Sequence, residues 1–171
     1  MFWDSPAEWR EAQVGLGVSL HFYSLGNGKI TRIAEDIAEK TQSLDPELER
    51  LCIRTCSGCE DPCCVLATVR YDFRDLIFLH LIQKGLPIGQ LASGSGRGCS
   101  CLGENGCVLD RIMRPFMCTW YLCPSQMELV RSEKMWQKYH LPERLREIQN
   151  DRKNLENAFL KLVAPNNTFS R

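Results

Sequence analysis

The chain lacks most of the features by which a protein of its size reveals a substrate. Neither sign of charge is in excess: 21 Lys+Arg stand against 21 Asp+Glu. That balance removes the electrostatic basis for binding nucleic acid or an acidic membrane surface. No run of about 18 apolar residues occurs, so no segment is expected to span a membrane. Histidine is scarce, and His21, His80 and His140 stand isolated from any serine or carboxylate in a catalytic pattern. A nucleophile elbow and a dinucleotide fingerprint are both missing. The glycine-rich stretch Gly94–Gly98 lacks the Lys-Ser/Thr ending of a phosphate loop. No internal repeat or low-complexity tract is present. The first ten residues show none of the basic, apolar and small-residue zones of a secretory leader, which predicts a reducing, cytoplasmic setting. What remains is ordinary globular usage, with 44% hydrophobic and 25% charged residues, in 171 residues that suit one domain.

Cysteine is the exception. Ten are present, all between positions 52 and 123. Thiols in a reducing compartment stay free, so clusters there point to metal binding or redox chemistry rather than to a disulfide framework.

The pattern around them is mainly helical, and three zones divide the chain at 1–51, 52–124 and 125–164, with a tail at 165–171. In the first zone Ser5-Pro6 reads as the N-cap and N1 of a short helix. Asn27-Gly28 reads as a turn, and Ile33, Ala34, Ile37 and Ala38 as one face of a helix over 31–43. Asp45-Pro46 then opens a further helix carrying Leu48 and Leu51. In the middle zone Val65–Val69 reads as a short strand. Asp72 caps a helix bearing Phe73, Leu76, Ile77, His80 and Leu81, with Gly85 at its C′ position and His80 as a satisfied core residue. A flexible loop follows at 93–98.

In the last zone Ser125–His140 reads as one helix broken by Leu141-Pro142. Leu141, Leu145, Ile148, Leu155, Phe159 and Leu162 then step by four, three, seven, four and three, with Arg152 in the skipped slot. That is an amphipathic helix of about six turns, folding back as a hairpin and offering its apolar face to the core or to a protein partner. The fold expected is mainly α: a small helical domain with an irregular, metal-stabilised, cysteine-rich middle and a C-terminal helical hairpin.

The first cysteine cluster runs Cys52, Cys56, Cys59, Cys63, Cys64, and the second Cys99, Cys101, Cys107, then Cys118 and Cys123. A C-x2-C pair lets two sulfurs face one ion across a tight turn, and Gly58 and Gly106 are placed to supply permissive backbone. The ligand species is thiolate, which a bound divalent ion keeps deprotonated. Adjacent residues in an extended backbone face opposite ways, so Cys63 and Cys64 are expected to serve different sites, or one a site and the other the core. Thiolate count leaves zinc and iron equally open, and an iron–sulfur cluster such as [4Fe-4S] is among the options. Arg97, Arg111 and Arg114 flank the second cluster as candidate donors to sulfur, with Arg114 favoured. Trp120-Tyr121 is expected to pack over the metal. Cys52-x3-Cys56-x2-Cys59 formally matches the radical S-adenosylmethionine signature, but Gly58 precedes the third cysteine and no strand–helix repeat accompanies it.

The run Cys56-x2-Cys59-x3-Cys63-Cys64, the Gly106-Cys107 pair, Arg114-Pro115-x2-Cys118 and Cys118-x4-Cys123 together resemble the YkgJ-type cysteine-cluster family, over about residues 52–124. The family is described as a zinc- or iron-chelating domain, and flagellin lysine N-methylases carry a related cluster. The resemblance implies that Cys56, Cys59, Cys63, Cys64, Cys99, Cys107, Cys118 and Cys123 are the metal ligands. Cys52 and Cys101 fall outside the shared pattern, although the family's Cys-Pro-Phe-Leu is replaced here by Cys99-Ser-Cys101-Leu102, leaving Cys99 and Cys101 as alternatives. The function expected is metal binding in the cytoplasm without an assigned reaction. A protein lysine methylase-like or redox enzyme is one alternative. A structural metal module that binds a protein partner through its C-terminal helices is the other.

Overall fold

The structure is a computed structural model that describes residues 3, 5–24, 28–56, 58–60, 63–66, 68–91, 99–104 and 106–164. The Asn27 half of the expected turn, the loop at 93–98 with Arg97, and the tail at 165–171 lie outside the described residues. The chain is mainly α, in the order α1 (Pro6–Ser24), α2 (Gly28–Thr55), α3 (Cys63–Leu66), α4 (Phe73–Leu81), α5 (Met117–Trp120), α6 (Pro124–Ser132), α7 (Met135–Tyr139) and α8 (Leu141–Val163). A minimal antiparallel hairpin of β1 (Leu102–Gly103) and β2 (Gly106–Cys107) pairs Leu102 with Cys107.

α1 begins as its sequence dictates. The Ser5 hydroxyl accepts the Glu8 N–H at 3.2 Å and the Glu8 carboxylate accepts the Ser5 N–H at 3.0 Å, a reciprocal cap. The helix then runs to Ser24, well beyond the short element expected. The two helices expected at 31–43 and from 46 onward are a single one, with Pro46 inside α2. Its buried residues Ile30, Ala34, Ile37, Thr41, Leu44, Leu48 and Leu51 step by four and three without interruption. A proline in a helix interior costs about 3 kcal/mol. Here the proline sits on the exposed side of that stripe, and the unbroken apolar seam outweighs the lost backbone bond.

α8 carries the same spacing in Leu141, Leu145, Ile148, Arg152, Leu155 and Phe159, all buried. The chain does turn back at His140, but the long neighbour along which α8 packs is α2, lying antiparallel. Lys40 pairs with Glu147 at 2.6 Å and Asp151 at 2.7 Å, while Arg144 reaches back to Ser43 at 2.6 Å. Residues ascending one helix thus meet residues descending the other. The expected helix 125–140 is split: Lys134 takes a left-handed φ of 53°, separating α6 from α7. Pro142 opens α8 at its first turn, where a missing N–H costs nothing.

α4 is the central element, with Asp75 through Leu79 all buried between α1, α2 and α8. Asp72 caps it as expected, in a reciprocal box with Asp75. It ends at Leu81, and the left-handed residue that follows is Gln83 (φ 53°), not Gly85. Val65–Val69 forms no strand: Val65 belongs to α3, and the described residues 68–72 run without regular structure. Tyr71 anchors that stretch. Its hydroxyl donates to the Met113 carbonyl at 2.7 Å, and its backbone N–H and C=O are both bonded by the Gln90 amide. The cysteine-bearing segments are therefore moored to one edge of a helical core that has its own apolar interior.

Candidate metal centre

All ten cysteines line one cavity of about 360 Å³. Cys52 sits on the last turn of α2, and Cys56 follows one turn later, its N–H bonded to the Cys52 carbonyl at 2.7 Å. Cys63 and Cys64 occupy α3. The second cluster joins the first through backbone: the Cys99 N–H donates to the Cys64 carbonyl at 2.6 Å. Cys101 precedes β1 and Cys107 ends β2, the hairpin being closed by a bond from the Val108 N–H to the Cys101 carbonyl at 2.9 Å. Gly106 takes a φ of 108°, a region that favours glycine. A Cβ on Gly103 would sit 2.7 Å from Val108 Cγ1, so this tight hairpin needs both glycines. Gly58, by contrast, takes no positive φ and has open space around it, so the permissive role expected of it is not used.

Cys118 is placed by the scaffold rather than by its own helix. The Phe116 N–H, two residues earlier, donates to the buried Asp75 carboxylate at 3.0 Å. The Arg152 guanidinium pairs with that carboxylate at 2.7 Å and lies over the Phe116 ring at 4.7 Å. The polar residue in the skipped slot of α8 is thus a clamp on the segment leading into α5. Burial raises the Asp75 carboxyl to about 6, with the Arg152 charge acting against that rise.

The thiols differ in how readily they ionise. The Cys56 thiol hydrogen-bonds Cys52 and, with the Arg111 guanidinium nearby, draws the Cys52 thiol down to about 6 against the cost of burial. Cys56 is correspondingly pushed up. Cys63 and Cys64 share a proton in the same way: Cys63 falls to about 6 and Cys64 rises. The pair therefore does not splay to opposite faces, because the backbone is a helical turn rather than extended, and both thiols face one cavity. Burial, then the neighbouring Cys107 and Cys99, lifts Cys118 to about 12. Burial also raises Cys101.

Of the flanking arginines, Arg111 and not Arg114 reaches sulfur. Arg111 is 3% exposed, pairs with Asp45 at 2.6 Å and Glu49 at 3.0 Å, and comes within 4.0 Å of Cys52 Sγ. Arg114 instead bonds the Leu109 carbonyl at 2.8 Å and the Cys107 carbonyl at 3.4 Å, fixing the backbone that carries Cys107. Trp120 and Tyr121 line the cavity but are half exposed, packed edge to face at 6.3 Å. They form part of its wall and stay open to solvent.

Three participants escaped the sequence pattern. Cys52 and Cys101 line the cavity with the other eight, so position does not set them apart. Gln126 on α6 turns its amide into the cavity, and the one local signal for it is its place three residues after the Cys123 cap. His80 is not the satisfied core residue expected, since its Nε2 is buried without a partner among the described residues and burial lowers its pKa.

The donor chemistry fits a thiophilic metal: soft sulfur donors in otherwise mostly apolar walls, with cationic and amide donors beside them. Closed ligand geometry is a separate matter. Among the described residues, no three His, Cys, Asp or Glu side chains are arranged to hold one ion. No family model matches the chain, and neither a curated protein nor a solved structure is significantly similar to it.

Proposed function

We propose that the protein binds zinc or iron through clustered cysteine thiolates, in a reducing compartment such as the cytoplasm. The observation that carries this reading is the gathering of all ten cysteines around one cavity. Dispersed structural cysteines would be shared out among the core contacts of the separate helices. Here the helical core is built largely without them, and the thiols meet at its edge. The motif order resembling the YkgJ-type family supports the same reading, and so does the choice of soft ligands only.

Cys56, Cys59, Cys63, Cys64, Cys99, Cys107, Cys118 and Cys123 are the proposed ligand set, with zinc, iron or a [4Fe-4S] cluster as the candidate occupants. Binding would draw protons from thiols that burial holds in the neutral form, so affinity rises with pH. The test is elemental analysis with a visible spectrum on protein purified without oxygen. A stoichiometric transition metal is the expected result, coloured if iron–sulfur and colourless if zinc. A folded, cooperative protein free of transition metal would overturn the reading.

A further inference from the structure

Among the described residues, the Cys52 sulfur has donors from two other elements beside it. Gln126 Nε2 lies 3.7 Å from Cys52 Sγ and 4.0 Å from Cys56 Sγ, and Arg111 Nη2 lies 4.0 Å from Cys52 Sγ. The orientation of the Gln126 amide is fixed by its other end. The Cys123 N–H can only donate, and it meets Gln126 Oε1 at 3.2 Å, which turns the NH2 group toward the sulfurs. Gln126 is 7% exposed. An amide buried in such walls is costly unless its hydrogens find acceptors, and the Cys52 and Cys56 sulfurs are acceptors within its reach. A thiolate bound to metal accepts well, and donors in that position orient ligands and tune the ion. Cys52 and Cys56 are also one turn apart, at and just past the end of a long helix, so their sulfurs share a face.

We propose that Cys52 belongs to the metal-binding thiolate set, and that Gln126 is its positioning residue, tying Cys52 and Cys56 to the Cys123 end of the site. The proposal rests on the metal-binding reading above and departs from the family pattern, which leaves Cys52 outside the ligands. Arg111 completes the arrangement by bringing positive charge to the same sulfur while remaining paired to Asp45 and Glu49.

The test is site-resolved alkylation with iodoacetamide, comparing protein as purified without oxygen, with its metal content measured, against the same protein stripped by a chelator. Trypsin isolates Cys52 in the peptide Leu51–Arg54, apart from every other cysteine. Labelling of Cys52 should be at least about tenfold slower in the loaded protein. Gln126→Glu keeps the acceptor for the Cys123 N–H but loses the donor to sulfur, and Gln126→Met serves if the added charge prevents folding. Either variant should hold metal about 10- to 100-fold more weakly and release Cys52 to alkylation at an unchanged far-ultraviolet spectrum. Metal-loaded protein whose Cys52 reacts as fast as in the stripped form overturns this proposal and leaves the metal-binding reading intact. So does a Gln126 variant that folds and holds metal as tightly as the parent. A preparation that contains no metal overturns both.

Discussion

At the scale of single residues, two buried ionisable groups pull stability in opposite directions with pH. His80 sits against α1, where a Cβ on Gly17 would come within 3.3 Å of its ring, and its pKa lies below the usual 6.5 because burial penalises the charged form. Its contribution to stability is therefore present above about pH 6.5 and is lost as pH falls through the lower folded value. Asp75 has the opposite sign. Raised from 3.8 to about 6, it contributes stability below 3.8 that is lost as pH rises through about 6. A wild-type pH profile mixes the two, whereas His80→Leu separates them. We expect the urea midpoint to lose less between about pH 7.5 and pH 5 in His80→Leu than in the parent. Equal losses would show that His80 is not an acid-sensitive group.

The Asp75–Arg152 pair itself is testable by a double-mutant cycle. Arg152→Met leaves the Asp75 carboxylate buried without its cation and should cost about 3 kcal/mol. Asp75→Asn mimics the neutral form that burial favours and leaves Arg152 paired to Asp72 at 3.2 Å, so it should cost clearly less. Combined, they should cost clearly less than the sum, since Asn still accepts the Phe116 N–H. Strict additivity in chemical denaturation would refute the clamp on the segment entering α5.

At the scale of elements, local signals and the tertiary seam compete, and the seam wins in α2. Asp45-Pro46 has the form of a helix start, and on local grounds it was a reasonable place to begin one. The stripe from Ile30 to Leu51 is nevertheless continuous, and one uninterrupted helix keeps all of it on the face that packs against α8, α4 and α6. The prediction follows that Pro46→Ala restores a backbone bond without touching the seam and raises stability by about 1–3 kcal/mol, less than the full helix penalty because proline also restrains the unfolded chain. A drop in the melting temperature would mean that α2 needs its proline. Periodicity predicted α8 well, down to the buried Arg152 in the vacant slot, because six apolar positions in register leave little freedom. Val65–Val69 went the other way: five residues of mixed character carry no period strong enough to separate a strand from a helical turn.

At the scale of the molecule, the apolar interior and the sulfur cavity adjoin, sharing Leu48, Val69 and Leu91. Trp9, Leu44, Ile77, Ile148 and Leu155 belong to the first and do not line the second. Under the proposed function, chelation should leave the α2–α4–α8 core folded while residues 56–66, 99–107 and 118–123 lose amide protection in hydrogen exchange. Collapse of the whole far-ultraviolet spectrum on metal removal would show that the cavity, and not the helical interior, holds the fold.

The helical class, the caps at Ser5 and Asp72, the long amphipathic C-terminal helix and the two cysteine clusters could all be read from the amino acids in order. Each rests on interactions between residues a few positions apart, which sequence spacing records directly. What only the folded chain decided was which helix α8 lies along, that Cys63 and Cys64 face the same space, that Arg111 and not Arg114 touches sulfur, and that Gln126 enters the cavity. These depend on contacts across 59 to 111 positions of chain or on the local backbone state. Spacing fixes neither, because the direction of a side chain is set by the packing of the element that carries it.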